Sequence, residues 1–200
     1  MVKNMDEKEF IGLMKDIRGC RYCAELFGFE PRPVVRGHRQ ALIMQISQAP
    51  SKAVAINGLP FKDASGVKLK RDWYQISEQR FYDEDSFYMC SSAHCYPGRD
   101  SRGHDRKPPA VCFQRWVVRE AQAVQCRCYV LVGAAAAACF YPRADFIGLV
   151  FHDQTLNGRP CFVIPHPSPL NRKWLKDHPD FEAARMPYIR GRLHEILDGR

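Results

Sequence analysis

The chain has no long apolar run: the nearest approach, Ala134 to Ala138, is soon closed by Pro142 and Arg143, far short of the roughly 20 residues a membrane helix needs. A soluble protein is expected, with no membrane partner. The stretch MVKNMDEKEF is charged where a secretory signal would be apolar, so a cytoplasmic, reducing location is expected, where structural disulfides are rare. Neither GxxxxGK[ST] nor GxGxxG occurs, which argues against a nucleoside triphosphate or dinucleotide cofactor. There is no internal repeat and no low-complexity tail. With 200 residues and 46% hydrophobic content, the chain supports one substantial core, so a single domain spanning 1–200, acting as a monomer, is the expectation. Acidic residues are also short, 22 against 30 Lys and Arg, for a formal charge of +8 and a pI of about 9.1. That balance favours a polyanionic partner, nucleic acid first, although charge excess also serves solubility.

Cysteine, in contrast, is plentiful. Cys20 and Cys23 form a C-x2-C pair, and Cys95 and Cys112 follow much later around a basic, proline-containing loop. Thiolates in that pattern suit an iron–sulfur cluster or zinc, against the plainer reading of four buried small hydrophobes. The C-x16-C spacing is not the short repeat of a zinc ribbon and suits a cluster that clips remote segments together. Cys90, Cys126, Cys128, Cys139 and Cys161 sit in or beside apolar runs and read as core.

Periodicity supplies the fold. Residues about 5–18 show apolar positions at helical spacing and lead into Cys20; PRPVVRGHRQ reads as a linker; ALIMQIS reads as a buried strand ending at Ser47. Residues 66–76 read as a helix, SFYMCS as a strand, and AVCFQRWVVREAQAV as a helix with Pro108 and Pro109 at its entrance. CYVLVG is a third strand, the alanine run a short helix and PCFVIP a fourth strand. HPDFEAARMPYIRGRLHEIL is a terminal helix that Pro187 should kink or divide. Strands alternating with helices predict an α/β fold, a three-layer α/β/α sandwich around a mostly parallel four-stranded sheet. Ligands bind such sheets beyond the carboxyl ends of the strands, where Gln48, Ser91, Gly133 and His166 all fall.

The residues on that rim carry a resemblance. SQAPS after the first strand, GLPFKDASG downstream, the second-strand segment ending in HCYPG, LVG on the third strand and HPSPLN after the fourth resemble the motif series of the uracil-DNA glycosylase superfamily, in order and over nearly the whole chain. The likeness is nearest to the branch that carries a four-iron, four-sulfur cluster, because the four cysteines fall in the same order around the same motifs. HPSPL is similar to the cluster-free, uracil-specific branch.

The resemblance implies a DNA glycosylase of base-excision repair, whose partner is DNA containing a deaminated or damaged base, uracil above all. Such chemistry takes the nucleotide out of the stack and stabilises a departing base anion beside an oxocarbenium-like sugar. It implies that His166 donates a hydrogen bond to the leaving base, that Phe61 stacks on the flipped base, and that Ala49 and Ser91 occupy base-binding positions. Ser168 would hold phosphate, Leu170 would wedge into the minor groove, and Arg172 and Lys173 would grip the backbone. Cys20, Cys23, Cys95 and Cys112 would hold a 4Fe–4S cluster, with zinc the lesser alternative. The basic loop between Cys95 and Cys112 would face DNA, and His94 or His104 would be the substitute ligands should one cysteine fail.

Three departures stand beside these matches. Ser47 replaces a glycine that opens the first motif; Gln48 replaces an acid and cannot take a proton; Ser91 replaces an asparagine that reads the uracil edge. Gln48 would then orient water, with Asp63 as the candidate carboxylate; the other reading of Asp63 is a helix N-cap. A second class therefore stays open: an iron–sulfur or zinc nucleic-acid-binding protein of the same fold with little or no glycosylase activity.

Overall fold

The computed structural model describes residues 5–199; the first four residues of the charged N-terminal stretch and Arg200 lie outside it. Helix Glu7–Arg18 opens on a capping box in which Asp6 and Glu9 bond each other's backbone amides. Phe10, Leu13, Met14 and Ile17, at the i, i+3, i+4, i+7 spacing read from the sequence, are buried. A short helix, Tyr22–Phe27, carries Cys23.

Five strands form one sheet: β1 Ile43–Ser47, β2 Phe87–Ser91, β3 Cys128–Val132, β4 Gln154–Leu156 and β5 Arg159–Ile164, in the order β2-β1-β3-β5-β4. The β1, β2, β3 and β5 pairings are parallel, and every residue of β1, β2 and β3 is buried, as the continuous apolar runs require. The fifth strand is one more than the sequence predicts. β4 is only three residues long, alternates poorly, and joins the edge antiparallel to β5 through Asn157 and Gly158, both at positive φ.

Helices pack on the sheet as expected, with some changes of winding. The helix at 66–76 starts as Ala64–Val67 and continues as the wide-wound Lys68–Tyr74. The helix after Pro109 runs from Ala110–Cys112 through a wide turn, Phe113–Val117, to Val118–Ala123. Pro187 divides the terminal helix: wide-wound Phe181–Arg185 passes into Met186–Leu197, with the proline in its first turn, where a missing N–H is tolerated. Among the described residues no helix is long and apolar enough to cross a membrane.

The segment read as a linker has a structural job. Arg36 forms an antiparallel bridge with Met89, exchanging N–H···O bonds of 3.0 and 2.7 Å, so that PRPVVRGHRQ covers the outer edge of β2. Gly37 permits the approach: it sits at φ 118°, and a Cβ there would lie 2.5 Å from Tyr88 Cα. Gly37→Ala is therefore expected to lower stability by about 1–3 kcal/mol, in the range of an overpacked core, measurable as a lower urea midpoint with unchanged slope.

Candidate active site and four-cysteine chamber

Because β1 and β2 pair in register, they end side by side at Ser47 and Ser91, whose buried hydroxyl oxygens are 2.8 Å apart. The following loops are stitched together: Ser92 N–H donates to Ser47 O (2.7 Å), Ser92 Oγ–H to Gln48 O (2.6 Å) and Ala93 N–H to Gln48 O (3.2 Å). The Gln48 backbone is thereby fixed while its side chain stays exposed. Beside these strand ends lies a cavity of about 550 Å³ lined by Ser47, Ala49, Phe61, Asp63, Ser91 and His166, among others. It shares Ala49, Asp63 and His166 with an outer groove of about 1060 Å³, which adds Gln48, Ser168, Leu170 and Asn171.

His166 sits in a rigid setting. The Ser168 backbone N–H donates to its Nδ1 at 3.1 Å, so the neutral ring carries its proton on Nε2 and keeps that N–H as its donor. Asn171 Nδ2 donates to the His166 carbonyl at 3.1 Å. Gly133 packs close behind, where a Cβ would stand 3.3 Å from His166 Cβ. Burial pushes the His166 pKa below its ordinary 6.5, and the nearby Asp63 carboxylate opposes the shift without cancelling it. The ring is thus neutral at physiological pH.

Phe61 faces His166 with ring centroids 6.4 Å apart and planes tilted by 32°, and meets Phe81 edge-on at 6.2 Å. Its backbone is unusual, at φ 57°. Gly66 allows this: any Cβ there would fall 1.6 Å from the Phe61 carbonyl oxygen. Asp63 caps the same turn, its Oδ1 accepting from Gly66 N–H at 3.1 Å. The cap reading of Asp63 holds, and the same carboxylate borders the cavity.

Ser168 Oγ accepts from Leu170 N–H at 3.2 Å and so starts the short turn Pro169–Asn171. Leu170 at its crest is 96% exposed, so it does not pack beneath its own loop. Arg172 and Lys173 begin the next helix, Arg172–Asp177, outside the cleft lining; Lys173 Nζ is 2.5 Å from Asp177 Oδ2.

Residues 35–190 match the family model of the uracil DNA glycosylase superfamily. The chain belongs to this superfamily. Its members are typically N-glycosylase hydrolases that act on DNA, and the cleft just described lies at the sheet rim inside the matched region. Cys20 and Cys23 lie outside that region.

Cleft residues that the sequence did not single out include Asn171, Pro97 and Asp105, whereas Arg106 belongs to the basic loop already expected to face DNA. Asn171 closes the HPSPLN motif, and its side chain turns back to the His166 carbonyl instead of capping the helix that follows. Pro97, Asp105 and Arg106 enter the groove from the loop after Cys95, which folds back through an Arg99–Asp105 bridge, Asp100 N–H to His104 O (2.8 Å) and Arg106 N–H to Gly98 O (2.9 Å). Nothing in its composition announces that hairpin.

The second feature of this superfamily member is a narrow, largely apolar chamber onto which Cys20, Cys23, Cys95 and Cys112 all open, walled by Ile17, Phe29, Pro31, Pro33 and Trp116. Burial raises the Cys23 thiol pKa, reinforced by Cys112 and Cys20. Burial likewise pushes Cys95 up to about 12, with the Arg32 backbone N–H opposing and the other three sulfurs adding to the rise. Cys23 and Cys95, partly buried in an apolar chamber beside the other sulfurs, are therefore held toward the thiol form. Among the described residues no three His, Cys, Asp or Glu side chains are set to hold a single metal ion. Of the two substitute histidines, His94 touches this site, its Nδ1 3.4 Å from Cys112 Sγ, while His104 lies exposed beside Asp100. None of the other five cysteines lines the chamber; Cys90 borders the cleft instead.

A titration of His166 followed by imidazole NMR should give a midpoint below 6.5. Asp63→Asn should move that midpoint lower still, since the carboxylate raises it. The sign for stability follows: the folded state binds fewer protons here than the unfolded chain, so this contribution is full above pH 6.5 and is lost as pH falls through the depressed pKa.

Proposed function

We propose that this chain is a monofunctional DNA glycosylase of the cluster-bearing kind, which flips a deaminated base, uracil first, into the rim cavity and hydrolyses its N-glycosidic bond. The observation that carries this reading is the fixed tautomer of His166: with Nδ1 occupied by the Ser168 amide, a neutral Nε2–H is available to the cleft beside Phe61. As the bond between sugar C1′ and the base nitrogen breaks, its electron pair leaves with the base, and negative charge grows on the base oxygen that faces His166. A fixed neutral donor strengthens with that charge. Phe61 stacks on the base. Water adds to C1′ of the oxocarbenium-like sugar, oriented by the Gln48 amide, with the Asp63 carboxylate at the cleft edge to accept its proton; the base anion is then protonated from solvent.

Leu170 fills the space the nucleotide leaves. Ser168 and the amides of its turn bind phosphate, and Arg106, entering the groove beside Leu170 and Ser168, joins Arg172 and the solvent-facing Lys173 in contacting the backbone. Cys20, Cys23, Cys95 and Cys112 would hold a 4Fe–4S cluster. The C-x16-C spacing of the second pair, unlike the short repeat of a zinc ribbon, favours a cluster over zinc. The group's part is structural, fastening the N-terminal helices to the loop that reaches the groove. The Gln48 position and the capping duty of Asp63 favour a second reading, a nucleic-acid-binding protein with little turnover.

Duplex and single-stranded oligonucleotides carrying one deaminated base, scored by alkaline strand scission, decide between the two. Base release is expected, and His166→Ala should lower its single-turnover rate roughly 100- to 1000-fold with the fold intact. Tight binding without release from any substrate would install the binding-protein reading instead. Leu170→Ala should weaken binding to damaged duplex more than to undamaged duplex, as read by fluorescence anisotropy. Anaerobically purified protein should be brown and contain iron, and any single Cys20, Cys23, Cys95 or Cys112 substitution should bleach it while Cys128→Ala does not; colourless protein with stoichiometric zinc would replace the cluster and keep the ligands.

A further inference from the structure

The least expected side chain in the molecule is Glu120, a carboxylate with no solvent exposure. It lies on the helix that carries Cys112, two turns further on, and one oxygen accepts from Tyr88 Oη–H at 2.6 Å. The other is 2.8 Å from Nε2 of His94, itself 2% exposed, in an ion pair. The opposite face of His94 is turned to the chamber: its backbone N–H donates to Cys112 Sγ at 3.3 Å, and its Nδ1 lies 3.4 Å from the same sulfur. Tyr88 Oη also lies 3.3 Å from Met14 Sδ on the first helix. A buried polar chain thus runs from the sheet, through a carboxylate and an imidazole, to one cysteine of the four. Isolated buried ions cost several kcal/mol each, so a chain of them inside an apolar core asks for a role, and hydrogen bonds to sulfur are a main determinant of cluster potentials.

We propose that His94 is a positioning residue for Cys112, directing two N–H groups at one sulfur of the four-thiolate site and thereby fixing that ligand's orientation and the site's reduction potential, with Glu120 and Tyr88 holding the imidazole in place. This rests on the cluster reading above. Sulfur that accepts hydrogen bonds holds the extra electron of the reduced state more easily, so loss of the Nδ1 contact moves the potential to more negative values. Ligand-supporting groups of this kind act through the ligand they orient.

Two near-isosteric substitutions separate the ring's two contacts. In His94→Asn the amide nitrogen stands close to Nδ1 and keeps a donor at Cys112; in His94→Gln it reaches toward Nε2 and keeps only the Glu120 contact. Iron content, visible absorption and midpoint potential are measured on the full-length parent and both variants, and base release is scored in the same preparations. The expected result is parent-like potential in His94→Asn and a more negative one in His94→Gln, with iron retained in both. Equal potentials in all three proteins, or a shift in His94→Asn alone, overturn the proposal, the latter by assigning His94 to charge pairing only. An iron-free parent overturns it together with the cluster, whereas absent base release in an iron-loaded parent strikes the glycosylase reading and leaves this one standing.

Discussion

Parallel pairing of β1 with β2 and β3, and of β3 with β5, forces four segments far apart in sequence to leave the sheet on the same side. Every part of the cleft follows from that direction. The β1 and β2 exits bring Ser47 and Ser91 together, the β3 exit supplies Gly133, and the β5 exit supplies His166, which packs against Gly133 because no side chain stands between them. A one-residue slip in any of these strands would exchange its inward and outward faces, and the continuous burial along β1, β2 and β3 makes such a slip costly. The cleft is therefore held in place by the core.

A second level of organisation works through buried polar groups. The rim loops are tied by one hydroxyl-to-carbonyl and two amide-to-carbonyl bonds, and the cleft histidine accepts a hydrogen bond from an amide of its own turn. These bonds do little for net stability, on the order of 1 kcal/mol each. What they supply is definition: each turns an otherwise mobile loop atom into a fixed donor or acceptor. The Tyr88, Glu120 and His94 chain does the same inside the core, where burial by itself would depress the His94 pKa and the Glu120 carboxylate, helped by Cys112, outweighs that loss of water and lifts it to about 10. The cleft and the four-cysteine chamber are joined by the five-residue stretch from Ser91 to Cys95, so order in one constrains the other.

Much of this was legible in the residues. Four parallel strands, their buried character and the first helix followed from apolar runs and from the spacing of Phe10, Leu13, Met14 and Ile17. The ordered motifs brought His166, Phe61, Asp63 and Leu170 to one place before any coordinates, and cysteine spacing gathered four thiols. Other features were hidden for physical reasons. β4 is too short to show a period, although Asn157-Gly158 is a hairpin signal. The edge-covering segment around Arg36 is stabilised by backbone bonds to Met89, which leave no side-chain signature. The hairpin carrying Asp105 and Arg106 is polar on all sides, and the buried Glu120 reads, in sequence, like any surface acid on an amphipathic helix. Arg172 and Lys173, expected to grip the DNA backbone, begin a helix just outside the groove lining, next to Leu170.

Phe61 has one further consequence. Its position derives from a left-handed backbone dihedral held by the close approach of Gly66 and the Asp63 cap, and only secondarily from ring packing. A platform fixed from the main chain is indifferent to the outline of the ring it carries. Tyrosine, histidine or tryptophan could occupy the same site without rebuilding the loop, whereas a methyl group added at the remote-looking Gly66 would displace all of them. The side chain that lines the cleft at residue 61 thus depends on the absence of one at residue 66, so the shape of this wall is set by an atom the chain leaves out.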